Sequence, residues 1–300
     1  MNKRKLLLVA LSLCMVAILA MGGTLAYLTD TDAKTNVFTV GNVNIEQNEK
    51  DREGNDYVNN QKLFPIVDDK KDDAGFHMGK NYVDKIVTVT VEKGSEDCYV
   101  RTFLAIPAKL DDGPLAFDAS ENILHWNGMS ANDSFKAANM NMDNDWYWTP
   151  SWTNDWPVAG TFNGQQTKNW NGYYTEIDGV GYNVYVATHK GILSAQQTTA
   201  PTLLGVYLDQ KVNSFIDDAG NTVFYYVDEA GEKIIIDFDL SKKFNILVKT
   251  EAVQAQGFED AIYALDSAFG YVGEHDPFGG SNITVFPATV DATAAAKAAK

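Results

Sequence analysis

Two neighbouring stretches decide the fold class: Ile86-Val87-Thr88-Val89-Thr90-Val91, and Cys98-Tyr99-Val100-Arg101-Thr102-Phe103-Leu104-Ala105-Ile106. The first is β-branched throughout, and such side chains pack well on a pleated surface. Lys85 stands before it, and Glu92 with Lys93 after it, as charged guards. The second alternates, placing Cys98, Val100, Leu104 and Ile106 on one face, and it stops at Pro107. Both read as strands. Working outward, residues 37–45 read as a strand opening the domain. Residues 173–188 form a hairpin about Asp178-Gly179-Val180-Gly181. Residues 223–227 and 233–240 flank the turn Asp228-Glu229-Ala230-Gly231, and 244–255 is a long strand with Phe244, Ile246 and Val248 on one face. Short strands separated by Gly- and Asp-rich turns predict a mainly β chain, a jelly-roll-like antiparallel β-sandwich with a few short helices and long loops. The best helix follows Gly257: Phe258, Ile262, Leu265 and Phe269 share a face, and Gly270 ends it. It is expected to pack across an end of the sandwich. Residues 48–80 and 139–172 read as irregular, the second rich in Trp, Asn and Gly.

The amino terminus reads as an export signal. Lys3, Arg4 and Lys5 form a basic head, residues 6–21 are apolar except Ser12, and Gly22, Gly23, Thr24 and Ala26 supply small residues near a scissile bond. Thr24 at −3 and Ala26 at −1 place the cut before Tyr27. The apolar run is shorter than the roughly 20 residues a spanning helix needs. Leu13 before Cys14 stands where a lipoprotein signal needs a small residue. The expected organisation is a signal peptide over 1–26, an amino-terminal segment over 27–46, a β-sandwich over 47–290 carrying the Trp-rich insertion, and an Ala-rich tail over 291–300.

Charge excludes some partners. The 300-residue chain carries 24 basic and 40 acidic residues, net −16, and loss of the three leader cations takes the mature chain to −19. Such a field opposes nucleic acid and anionic lipid, so membrane contact is expected only during export. The mature chain keeps one cysteine, Cys98, which rules out an internal disulfide. Its strand position predicts a buried thiol.

A catalytic constellation is not legible. The histidines His77, His125, His189 and His275 are scattered, and none begins the His-Glu-x-x-His pattern that sets two imidazoles and a base on one helical face. No Gly-x-Ser-x-Gly elbow or phosphate loop occurs, and Asp97 beside Cys98 disfavours a thiolate nucleophile. The pairs Asp30 with Asp32, Asp68 with Asp69, Asp72 with Asp73, and Asp143 with Asp145 offer hard oxygens but match no calcium loop. The expectation is therefore no enzyme, no metal and no cofactor. Five of six tryptophans, Trp146, Trp148, Trp152, Trp156 and Trp170, lie within 25 residues. The first four are candidates for a ligand or partner contact, sugar stacking included, against the alternative of a local aromatic core.

The junction Gly23-Thr24-Leu25-Ala26-Tyr27-Leu28-Thr29-Asp30-Thr31-Asp32, followed by Asn36-Val37-Phe38-Thr39-Val40-Gly41-Asn42-Val43, resembles the TasA/camelysin family. Two further blocks carry the same resemblance: 87–91 leading through Gly94-Ser95-Glu96-Asp97 into 99–103, and 248–255 preceding Ala264-Leu265-Asp266 with Phe269-Gly270. The resemblance implies a jelly-roll-like subunit of secreted biofilm matrix fibres, exported through a SipW-type signal peptidase to the extracellular matrix or cell surface of a Gram-positive bacterium. Its partners would be copies of itself, with an accessory matrix protein as a further candidate. Assembly would proceed by donor-strand exchange of the mature amino-terminal segment. Phe38 with Val40, and Val43 with Ile45, are two apolar pairs, and a bulge at Gly41 would bring both onto one face. The camelysin branch implies a cell-surface metallopeptidase as the enzymatic alternative; a surface carbohydrate-binding module is the other.

Overall fold

A computed structural model describes residues 42–58, 61–67, 81–111, 122–126, 145–149, 161–162, 165–166, 172–228 and 230–285. In chain order the strands are β1 (Ile45–Lys50), β2 (Val83–Val91), β3 (Cys98–Pro107), β4 (Leu124–Trp126), β5 (Trp146–Thr149), β6 (Thr161–Phe162) and β7 (Gln165–Gln166). There follow β8 (Tyr173–Ile177), β9 (Val180–His189), β10 (Leu203–Leu208), β11 (Asn213–Ile216), β12 (Thr222–Val227), β13 (Lys233–Ile235) and β14 (Leu247–Gln254). Helix α1 (Ala261–Phe269) and β15 (Ser281–Val285) complete the described elements.

Two antiparallel sheets make the sandwich. One runs β1-β2-β10-β4 and the other β14-β3-β9-β8-β15, with β5 also paired to β9; β6 and β7 pair with each other. The chain is mainly β, as its alternation predicts. Strand β2 shows the cause directly: Val83, Val87, Val89 and Val91 alternate inward while Asp84, Thr88 and Thr90 face out. Cys98, Val100, Leu104 and Ile106 of β3 meet these valines together with Ile246, Val248 and Ala252 of the β14 region. Burial of each such aliphatic side chain stabilises by roughly 1.5–3 kcal/mol.

Strand β3 is buried along its whole length. Its second face, Phe103 and Ala105, packs with Tyr173, Val184, Val186, Leu247, Val272 and Phe278. Beside them Tyr99 joins Val253, Ala261, Ala264 and Leu265. Helix α1 therefore lies over the outer face of the larger sheet, not across an end of the sandwich. The reason is the apolar outer face of β3 and β14, which water would otherwise meet. Asp260 caps the helix by accepting from the Tyr263 amide, and Gly270 closes it at φ 98°. The β8–β9 hairpin turns on Asp178 and Gly179, at φ 51° and 77°, the paired positive values a tight two-residue turn requires.

The first strand is displaced from its expected place. It starts at Ile45, where the predicted strand ended, and pairs Ile45 with Val91 through to Lys50 with Ile86. Its inward positions after Ile45 are Gln47 and Glu49, which is why apolar alternation does not reveal them. Gln47 accepts from Thr250 Oγ1 at 2.9 Å, and Glu49 pairs with Lys85. Lys85 is correspondingly no guard. It shares the inward face of Val83 and Val87, is fully buried, and also lies 4.3 Å from the Tyr57 ring centroid.

Candidate assembly interface and buried polar clusters

Among the expected site residues, Val43 and Ile45 are each 1% exposed and belong to the main core. Asn42 and Asn44 fix this entry: their carbonyls accept from the Glu96 and Glu92 amides, and the Asn44 amide donates to Ser95 Oγ at 3.0 Å. The four candidate donor residues are thus divided. Val43 and Ile45 sit in the subunit's own sandwich, whereas Phe38 and Val40 lie outside the described residues. The cleavage pair Ala26 and Tyr27 lies outside them too.

The tryptophans divide likewise. Trp146 is 2% exposed; its Nε1 donates to the Ala200 carbonyl at 3.2 Å and its ring meets His189 edge-on at 5.1 Å. A side chain so enclosed presents no face to a sugar or a partner, which corrects its candidacy as a contact residue. The β5 backbone that carries it pairs Trp148 with Ala187. Trp152, Trp156 and Trp170 lie outside the described residues.

Cys98 is fully buried, and desolvation, aided by the Asp97 carboxylate, pushes its thiol up to about 12. Such a thiol is inert near neutrality. Each described histidine is engaged: His125 Nε2 with Asp209 at 2.8 Å, His189 Nδ1 with the Gly191 carbonyl at 2.8 Å, and His275 Nε2 with Glu251 at 2.5 Å. Among the described residues no group of three or more His, Cys, Asp and Glu side chains is arranged to hold a metal ion.

Two buried polar clusters escape the sequence reading. On the helix side of β3, Arg101 Nε donates to Glu251 at 2.7 Å, Nη1 to Asp266 at 2.9 Å, and Nη2 to the Gly270 carbonyl at 3.1 Å. One guanidinium thus serves two buried carboxylates and the helix end. Desolvation disfavours the Glu251 charge, but Arg101 and His275 outweigh it and hold that carboxyl below its usual range. Asp266 takes the opposite direction. Burial, reinforced by Asp260 and Glu251, outweighs its Arg101 contact and pushes it up to about 6. Elsewhere Asp111 accepts from Asn122 at 3.1 Å, Asn183 at 2.9 Å and Tyr185 at 2.6 Å, tying the loop after β3 to β9. Both are closed structural networks rather than open sites. Their partners lie as much as 169 residues apart, so no local motif could reveal them.

An open cleft of about 780 Å³ lies beside the end of β10. Its apolar wall comprises Leu63, Phe64 and Pro65 on one lip and Phe224, Leu240 and Phe244 on the other. The Ile66 amide donates to the Leu208 carbonyl at 2.9 Å, and Pro65 bridges Leu208 in parallel, so the 61–66 segment is held as an extra strip beside β10. The opposite lip belongs to the three-stranded ribbon β11-β12-β13 and the turn after it. The apolar run Leu63-Phe64-Pro65-Ile66 inside a charged stretch was the signal available for this feature.

Comparison of the chain with protein-family models, with curated proteins and with solved structures finds no match.

Proposed function

We propose that this protein is a secreted structural subunit of extracellular biofilm matrix fibres, assembled by donor-strand exchange of its mature amino-terminal segment. The carrying observation is where the chain enters the sandwich. Asn42 and Asn44 are hydrogen-bonded to the turn after β2, and Val43 and Ile45 are seated in the core at an edge strand. The donor in this reading is the mature segment that precedes them, residues 27–41, with Phe38 and Val40 as its pocket-filling side chains. Val43 and Ile45 fix the point from which the donor departs. A strand that leaves one subunit and pairs with another gains main-chain hydrogen bonds and side-chain pockets together. A head-to-tail contact of that kind does not close and propagates as a filament. Export through a SipW-type peptidase would release the segment by cutting before Tyr27.

Electron microscopy of the purified protein comprising residues 27–300 tests this. Filaments are expected, their growth promoted by salt that screens the −19 mature charge. Persistence as dispersed monomers across all salt concentrations would refute the reading.

A further inference from the structure

The cleft beside β10 carries three lysines along its lining. Among the described residues Lys62, Lys242 and Lys243 line it and no carboxylate does, in a chain with 40 acidic residues. Lys242 also meets Asp239 at 3.1 Å, but both are solvent-exposed and free to rearrange. The site is therefore an apolar trough with a cationic rim. As an extended strand, residues 27–41 would offer a matching face, with Asp30, Asp32, Lys34, Asn36, Phe38 and Val40 at alternate positions of the sequence. Two carboxylates lie at one end of that face and two apolar side chains at the other.

Topology sets the direction. Ile45 lies opposite Val91, so the chain enters at the Val91 end of β2. Val206 lies opposite Val83, and Leu208, which borders the cleft, lies beyond it. Entry point and cleft thus sit at opposite ends of a nine-residue strand, separated by about 30 Å at roughly 3.3 Å per residue. Fifteen residues precede Asn42 in the mature chain, and fully extended they reach about 50 Å. In the proposed fibre, a segment of that length departing from this end would have the reach to fill a trough at the facing end of the next subunit.

We propose that this cleft is the acceptor for residues 27–41 of a second copy of the chain, with Phe38 and Val40 in the apolar trough and Asp30 and Asp32 toward the lysine rim. The inference rests on the filament reading and adds the acceptor and the polarity. Charge on the rim then governs the rate of addition more than the stability of the joint.

Cross-linking of full mature chains tests it. Asn36→Cys paired with Ser241→Cys, or with Gln61→Cys on the other lip, is oxidised during assembly, Cys98 being buried. Asn36→Cys with Ile283→Cys, on the exposed edge strand β15, is the control. The expected result is a ladder of disulfide-linked multimers from either cleft pair and none from the control. A single intramolecular link, showing that the segment folds back on its own cleft, overturns the proposal. So does a ladder confined to the β15 pair. Filaments in the microscope with no cleft ladder would place the acceptor elsewhere while leaving the filament reading intact; absence of both would remove the two together. As an independent arm, Lys62→Glu, Lys242→Glu and Lys243→Glu combined should slow growth at least tenfold at low salt. Adding Asp30→Lys and Asp32→Lys should restore it. Unchanged growth of the triple variant overturns the charge match.

Discussion

Strand β3 and the ribbon β11-β12-β13 are both antiparallel β-structure in the same chain, yet they stand at opposite ends of its packing. All ten residues of β3 are buried, so it has no solvent face and its polar side chains must find partners inside. The ribbon has one anchored face: Phe224 and Tyr226 pack against the core. On its other side Lys233 covers the rings of Phe215 and Tyr225, at 4.5 and 4.2 Å from their centroids. Ile216, Val227 and Ile235 remain 64, 48 and 50% exposed. The difference teaches where stability and function separate. The centre of the larger sheet is over-determined by contacts from two sides, whereas the ribbon is packed on one side and borders the cleft.

The largest effect is expected at Arg101. Arg101→Met leaves Glu251 and Asp266 buried without their shared cation, and removing one member of such a group costs about 3–5 kcal/mol. Urea unfolding of wild type and variant measures it. A loss below about 1 kcal/mol would mean that β3 tolerates an unsatisfied charge and is no more constrained than the ribbon.

A smaller, pH-dependent effect belongs to Asp266. Its pKa is raised from 3.8 to about 6 in the folded protein, so the folded state holds an extra proton between these values. That contribution to stability is full below pH 4 and is lost as pH rises through 6. Asp266→Asn, which cannot ionise, should therefore gain on wild type by up to about 3 kcal/mol between pH 4 and pH 7. Parallel pH profiles for the two proteins would contradict the assignment. The smallest effect is expected on the ribbon. Ile216→Lys or Ile235→Lys should change stability by about 0.5 kcal/mol or less, since each side chain is already half in water. A loss of several kcal/mol would show that the ribbon is core rather than border.

Legibility followed the same divide. Where a strand has one apolar face, or where a turn demands positive φ, period and composition suffice: β2, the β8–β9 hairpin and α1 are plain in the residues. They fail where inward positions are polar. Gln47 and Glu49 hid β1 behind an apolar run that ended at Ile45, and Lys85 looked like a surface guard although its period places it beside Val83 and Val87. Trp146 looked like a contact residue because local clustering does not distinguish a mini-core from a platform. The Arg101 cluster and the cleft join segments distant in sequence, and only the folded topology brings them together.

In the proposed fibre one apolar stretch has two destinations, residues before Gly41 serving the neighbouring subunit and Val43 and Ile45 serving their own core. Phe38→Asp with Val40→Asp, set against Val43→Asp, tests this on paired preparations by circular dichroism and filament yield. The account predicts that the double variant keeps a wild-type spectrum and melting temperature while filament yield falls by orders of magnitude. Two lost apolar anchors at roughly 1.5–3 kcal/mol each support that scale. Val43→Asp, which places a carboxylate at a 1% exposed core site, should instead destabilise the monomer itself. Normal filaments from the double variant, or its unfolding alongside Val43→Asp, would contradict the account.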